Sequence, residues 1–380
     1  MSIYLDYNAS CPVDERVLST MIETYREYYG NAESRTHIHG QKARQRVEEA
    51  RLQVAHLLGV ESNEIVFTSG ATESNNLAIL GLQDYAVSSG RKHILTTSIE
   101  HKSVLEAVNY LGRNGYEIEF VNPDVSGRIN AEELLSRVRP NTLLVSVQHV
   151  NSETGIIQPV EEIGKGLSDS EVLFHIDAVQ SCGKLVKELQ SLKYNMLTIS
   201  AHKMCGPQGI GALILRRQRH KLPPVKSIMY GGNHELGLRP GTIPVALIAG
   251  FGEACEIANS ERKHSASCIK DNRDSILLSL DQSGVDYRFN GDQKHCINNT
   301  VNISFINVNS EALMIAAKEY FSVSNGSACT SKDYKPSYVL AAMGLSSTRL
   351  DTAIRLSWGR QQIELRELQH FLSVIYDFQN

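Results

Sequence analysis

The chain has 380 residues, 42% of them hydrophobic and 21% charged, and its 38 basic against 42 acidic side chains leave a formal charge of −4. At roughly 150 residues per domain this suggests two domains, and the composition excludes a disordered or fibrous protein. A nearly neutral chain does not bind nucleic acid through bulk charge, so no direct nucleic-acid contact is expected.

The opening MSIYLDYNASCPVDE has no basic segment running into an apolar one, and no stretch of about 18 apolar residues occurs. A soluble, cytoplasmic protein without membrane contact is expected. Ala43, Val47, Ala50, Val54 and Leu57 recur at helical spacing, with Gly59 as the stop. Residues 64–68 (EIVFT) read as a buried strand, Gly70 breaks it, and 72–82 reads as a helix. A strand at 93–97 and a helix at 103–111 follow. Strands at 142–147 and 172–176 flank a helix at 160–167, and 196–200 and 211–215 are two further strands. Residues 244–257 read as a helix, and the polar NSERKH at 259–264 marks a change of unit. Beyond it, 300–306 and 321–323 read as strands.

Strand–helix alternation predicts an α/β fold, a mainly parallel sheet flanked by helices. The expected large unit is 15–258, and a smaller α+β unit comprises 1–14 with 259–380. In such sheets ligands bind beyond the C-terminal strand ends. That rule selects Gly70-Ala71-Thr72, the loop at His101, residues 151–155, Asp177 and His202-Lys203.

Lys203 directly follows a strand, where a lysine reads either as a surface side chain or as an amine nucleophile for a carbonyl. Asp177, read alone, is an N-cap or a solvated carboxylate. Together the two suggest pyridoxal phosphate (PLP), which needs a lysine for its aldehyde and an acid to keep its ring nitrogen protonated. Gln180 could donate to the ring hydroxyl. The turn at 68–73 (TSGATE) opens a helix and suits a phosphate, although an ordinary capped turn reads the same way. His101 could stack on a planar ring and move protons. Arg355, between apolar residues, suits either a clamp on a substrate carboxylate or a structural ion pair.

The seven cysteines (Cys11, Cys182, Cys205, Cys255, Cys268, Cys296 and Cys329) are odd in number and form no CxxC pair. Free thiols in a reducing compartment fit them, with neither a disulfide framework nor a metal site expected. Cys329 alone lies among small polar residues (SNGSACTS), as a nucleophile on a mobile loop would. Cys182, Cys205 and Cys255 are expected in the core or at its edge.

These residues fall within a set of motifs running from residue 3 to about 359. They are GNAESRTH (30–37), FTSGATESNNLAI (67–79), EHKSV (100–104), HIDAVQ (175–180) and SAHKMCGPQGIGAL (200–213), followed by RPGT (239–242), SACTS (327–331) and IRLSWGR (354–360). In that order they resemble the cysteine desulfurases of the NifS/IscS type, PLP enzymes of fold type I in the class V aminotransferase superfamily. The resemblance implies a sulfurtransferase that removes sulfur from L-cysteine, leaving alanine and a persulfide for an acceptor protein. It implies that Lys203 carries PLP, that Asp177 pairs with the ring nitrogen, that Gln180 touches the ring oxygen, and that His101 stacks and acts as acid and base. Ala71, Thr72, Ser200 and His202 would hold the phosphate. Thr242 would reach the phosphate of the other subunit, which requires a homodimer. Asn31 and Arg355 would bind the substrate carboxylate, and Cys329 would attack its sulfur.

Two positions depart from the family pattern. Ser152, in Asn151-Ser152-Glu153, stands where the family commonly has a second asparagine touching the ring oxygen, so either Ser152 or Asn151 would make that contact. Leu236 stands where arginine is frequent. The chain ends at Asn380, soon after residues 358–360, whereas members feeding iron–sulfur scaffolds usually carry a longer tail. The expectation is therefore a dedicated sulfur donor, for DNA phosphorothioation or tRNA thiolation. The alternatives are a housekeeping iron–sulfur donor, a selenocysteine lyase or other PLP enzyme, and a non-enzymatic scaffold.

Overall fold

In the computed structural model, which describes residues 3–218, 220–326 and 336–380, the chain enters with a short strand, β1 (Ile3–Tyr4). A seven-stranded sheet follows. Its members are β2 (Ile65–Thr68), β3 (His93–Thr97), β4 (Glu117–Val121), β5 (Thr142–Gln148), β6 (Leu173–Asp177), β7 (Met196–Ser200) and β8 (Gly211–Leu215). Their order across the sheet is β2-β8-β7-β6-β5-β3-β4.

The expected parallel sheet is present, with β8 running against both neighbours. The reason is chain length. A parallel return needs a crossover of a dozen or more residues, and the link from Ser200 to Gly211 is too short to supply one. Because β8 opposes both β7 and β2, β2 runs parallel to β7. The C-terminal ends of β2, β3, β5, β6 and β7 therefore share one edge. The short link that forces the reversal is the segment bearing Lys203.

Strand periodicity distributes the core between two faces. Leu95, Val145, Phe174 and Leu197 pack with the helices Ile38–Leu58 and Val245–Ser260. Ile94, Leu144, Leu173 and Met196 pack on the other side with the helices Ala71–Leu80 and Lys102–Arg113. Both faces being covered explains why these strands read as continuous apolar runs. Strand β4 was not visible in the sequence because it is the half-exposed edge. Its Glu117 and Glu119 interrupt the apolar run and pair with Arg139 and Arg137.

A second core lies around β9 (Tyr287–Phe289), β10 (Thr300–Phe305), β11 (Phe321–Ser322) and β12 (Ala353–Ser357). Strands β12-β10-β9 form an antiparallel sheet, and β11 pairs in parallel with β1. Ile276 and Leu280 of helix Arg262–Gln282, with Phe371 and Ile375 of helix Leu365–Gln379, cover Val301, Ile303 and Phe305. Ile3 and Leu5 belong to this core. From there the chain crosses to the main sheet, where the Cys11 amide donates to the His202 carbonyl at 2.9 Å. The crossing places Asn8, Ala9 and Ser10 over the strand ends.

Candidate active site

A cavity of about 590 Å³ opens at that shared edge. Its walls include the turn Gly70-Ala71-Thr72, His101, Ser152, Asp177, Gln180, His202, Lys203 and Arg355. The topology therefore gathers residues from five strand ends and from β12.

The turn after β2 is possible because Gly70 adopts φ +151°, a conformation that side chains rarely tolerate. It also packs closely on β8, since a Cβ on Gly211 would lie 2.8 Å from the Gly70 Cα. Helix Ala71–Leu80 starts here and directs its N-terminus at the cavity. Glu73 accepts from the Ser69 amide at 2.7 Å and from Arg239 Nε at 3.0 Å.

Asp177 ends β6 at the cavity floor, 6% exposed. Its Oδ2 accepts from Asn75 Nδ2 at 2.8 Å, and its Oδ1 accepts from the Val179 amide at 3.1 Å. Asn75 Nδ2 also donates to Ser103 Oγ at 2.8 Å. Ser103 Oγ lies 2.7 Å from His101 Nδ1, and the Ser103 amide donates to the same nitrogen at 3.1 Å. Since Nδ1 accepts, neutral His101 carries its hydrogen on Nε2. Burial lowers the His101 pKa, against an upward pull from the Asp177 charge.

Lys203 Nζ donates to the carbonyls of Asn8 and Ala9, both at 2.6 Å. Gln180 Nε2 donates to the Asn8 carbonyl at 3.0 Å, which leaves the buried Gln180 Oε1 without a hydrogen-bond partner. Ser200 Oγ lies 2.8 Å from His202 Nδ1. Burial, with Lys203 and Lys184 nearby, lowers His202 to about 4. Arg355 is 5% exposed; its Nη2 donates to Asp6 Oδ1 at 2.5 Å and its Nη1 to the Ser152 carbonyl at 3.0 Å. The ion-pair reading of Arg355 thus holds while the side chain also faces the cavity. Its buried Nε has no partner.

Other expected residues lie elsewhere. Asn151 is 1% exposed and does not face the cavity: its Oδ1 accepts from the Glu153 and Thr154 amides, and its Nδ2 donates to the Ile99 carbonyl. The Asn151 amide is engaged on both sides, by Ile99 and by its own turn, while Ser152 lines the cavity. Asn31 and Thr242 are exposed and outside the cavity of this chain. Their neighbours Ala32, Glu33 and Ile243 line a separate hollow of about 330 Å³. Leu236 lines that hollow too, with φ +59°. Cys329 lies outside the described residues. Cys182 and Cys255 are buried and Cys205 is half-buried, as expected.

Four contributors escaped the sequence reading. Asn8 ties the site together through its carbonyl and through Nδ2, which donates to the Ser152 carbonyl and Thr300 Oγ1. Asn75 and Ser103 connect Asp177 to His101. Glu153 lines the cavity with a carboxyl that burial raises to about 7. The available signals were that Asn75 and Ser103 fall inside the motifs at 67–79 and 100–104 and that Glu153 lies in the strand-end segment 151–155.

The residues fit PLP. They offer an amine at Lys203, a carboxylate at Asp177 for a ring nitrogen, an orphaned acceptor at Gln180 Oε1 for a ring hydroxyl, and a helix N-terminus with Thr72 and His202 for a phosphate. The fold and site define a PLP-dependent enzyme of α/β architecture. Comparison with known proteins is consistent with this. The family model described as aminotransferase class-V matches residues 3–364. The cysteine desulfurase IscS of Anaeromyxobacter dehalogenans is 44% identical over 364 residues, covering 95% of this chain and 89% of that protein. A solved NifS-like protein superposes with TM-score 0.90 at 36% identity over 99% of both chains. DndA from Streptomyces lividans gives TM-score 0.82 at 41% identity over 94% of this chain and 99% of its own. The chain belongs to the aminotransferase class-V family, as a cysteine desulfurase dependent on pyridoxal phosphate.

Proposed function

We propose that this desulfurase is a dedicated sulfur donor, working as a homodimer in the cytoplasm and passing a persulfide sulfur from Cys329 to an acceptor protein. The observation that carries the site assignment is the hydrogen-bond chain Asp177–Asn75–Ser103–His101, set in the same cavity as Lys203 and Arg355. Bound PLP supplies an electron sink for negative charge developing on the substrate. Lys203 holds the cofactor, and Asp177 faces its ring nitrogen. Gln180 and Ser152 serve the ring oxygen. Ala71, Thr72, Ser200 and His202 hold the phosphate. Arg355 engages the substrate carboxylate, and His101 moves protons at Nε2. The Cys329 thiolate attacks the sulfur of L-cysteine, the C–S bond breaks with its electron pair left on the substrate side, the carbon takes up one proton, and L-alanine leaves with the persulfide on Cys329.

Asn31 and Thr242 fit a role across subunits, because both are exposed and neither reaches the cavity of its own chain. Tyr230, 97% exposed, and Leu236, 52% exposed, lie in the segment leading to Thr242 and suit coverage by a second copy. The two separate cores support residues 15–258 as the cofactor unit and 1–14 with 259–380 as the smaller unit. The likeness to IscS and to DndA, 44% and 41% identical, supports a sulfur-donor role.

Purified protein is given L-cysteine and a reductant, and sulfide and alanine are scored beside Cys329→Ala and Lys203→Ala. Equal yields of both products from wild type, and neither from the variants, support the assignment. Full activity in Cys329→Ala removes Cys329 as nucleophile. Sedimentation as a monomer removes the role of Thr242.

A further inference from the structure

One carboxyl in the cavity wall touches the chain on both sides of Cys329. Ser337, eight residues after that cysteine, donates its hydroxyl hydrogen to Glu153 Oε2. Gly326, three residues before it, packs against the same carboxyl. A Cβ on Gly326, whose φ is +82°, would lie 2.9 Å from Glu153 Cδ and closer still to Oε2. The Glu153 carboxyl therefore fills the space that a side chain at 326 would need.

Each of the three residues is held from outside. The Glu153 amide donates to Asn151 Oδ1 at 2.9 Å, and its carbonyl accepts from Asn302 Nδ2 of β10 at 3.1 Å, so its backbone is tied to both cores. Ser337 Oγ accepts from the Leu340 amide at 3.1 Å, capping the helix Tyr338–Ala342. The Tyr338 hydroxyl donates to the Glu100 carbonyl, next to His101, at 2.7 Å. On the other side, the Gly326 amide donates to Ser324 Oγ at 3.2 Å, and the Ser324 backbone pairs with Arg355 at 2.6 and 3.3 Å. Glu153 and Ser337 are both buried, so neither can replace a lost partner with bulk water. Among the described residues Glu153 forms no salt bridge, and Arg355 is committed to Asp6 and the Ser152 carbonyl. The hydroxyl of Ser337, and not the guanidinium, is thus the hydrogen-bonding partner of the carboxyl.

We propose that Glu153 is a positioning residue for sulfur transfer, which seats Gly326 and Ser337 on one carboxyl and so fixes the two points between which the chain carries Cys329. This role rests on Cys329 being the nucleophile. Glu153 acts through the placement of the thiol and not on the reacting atoms. A misplacement of about 1 Å costs a rate on the order of 10²-fold. Substrate binding, which falls to Arg355, is left nearly unchanged.

The test is steady-state kinetics on L-cysteine with the PLP-loaded full chain. Glu153→Ala, which removes the acceptor, is expected to lower kcat by about 10- to 100-fold with KM within about twofold. Glu153→Gln keeps a carbonyl oxygen for Ser337 and should recover most of that loss. Ser337→Ala, which removes the donor, should lower kcat in the same way, and the double variant should be no slower than Glu153→Ala, because both changes remove one contact. Should Glu153→Ala fail to fold, Ser337→Ala against Ser337→Thr decides the same point, since threonine keeps the hydroxyl; equal kcat in these two overturns the proposal. A rise in KM at unchanged kcat, a glutamine variant as slow as the alanine one, or losses that multiply in the double variant also overturn it. Cys329→Ala is run beside them. Activity there overturns the nucleophile assignment and the positioning role with it, whereas an inactive Cys329→Ala beside unimpaired variants at 153 and 337 overturns the positioning role alone.

Discussion

Asp177 and His101 occupy the ends of separate strands, and a short relay of Asn75 and Ser103 makes them one unit. Both hydrogens of the Asn75 amide are committed, one to each side. The relay fixes the His101 tautomer, with Nδ1 accepting and Nε2 facing the cavity. His101→Ala is expected to lower kcat by about 10²–10⁴-fold. Ser103→Ala should fall between wild type and that value with KM little changed, because the backbone amide still donates to Nδ1; steady-state kinetics on L-cysteine measures both. Glu153 makes a second prediction. Its folded pKa is raised from 4.5 to about 7, so the folded state binds the extra proton. Its contribution to stability is complete below about pH 4.5 and is lost as pH rises through 7. Glu153→Gln should flatten that decline in urea midpoints taken from pH 4.5 to 8. Lys203, Asp177 and His101 were legible because each ends or follows an apolar run. Asn75 was not, since its partner Asp177 lies 102 residues away and neither residue alone shows what the other needs.

Among the elements, the helices Ile38–Leu58 and Val245–Ser260 approach closely where Gly252 meets Ala50. A Cβ on Gly252 would lie 2.7 Å from both the Ala50 Cα and Cβ and 2.3 Å from Gln53 Oε1. Two of these atoms belong to a packed helix and cannot move aside. Gly252→Ala should therefore cost about 1–3 kcal/mol through overpacking, exceeding its gain in helix propensity of about 1 kcal/mol. A lowered denaturation midpoint at unchanged m-value is the expected result. Most strands were readable because they are buried on both faces, whereas β1, β4, β9 and β12 were not assigned. Glu117 and Glu119 hide β4 in polarity. Arg355 interrupts β12, where the Asp6 carboxylate allows the charge to be buried.

Across the whole molecule, Asp14, Arg16, Glu261 and Arg360 join the beginning of the chain, the break between two long helices, and the segment after β12. The hydrogen bond from Arg16 and the charge of Arg360 lower Asp14 from 3.8 to about 2. A depressed carboxylate stabilises fully above the unfolded value and loses that contribution as pH falls toward 2. The arginines are partly exposed and screened, so the effect is about 1 kcal/mol or less. Asp14→Asn should lower the urea midpoint at pH 6 and converge with wild type near pH 2.

The sequence by itself determined the fold class, the large sheet and the identity of the lysine, the carboxylate and the histidine, because burial periodicity and strand-end position are local properties that a linear chain displays. The tertiary structure alone decided the reversal of β8, the seat of Asn8 and the engagement of the Asn151 amide by Ile99, Glu153 and Thr154. Each of these depends on which distant backbones lie side by side, and spacing along the chain does not encode that.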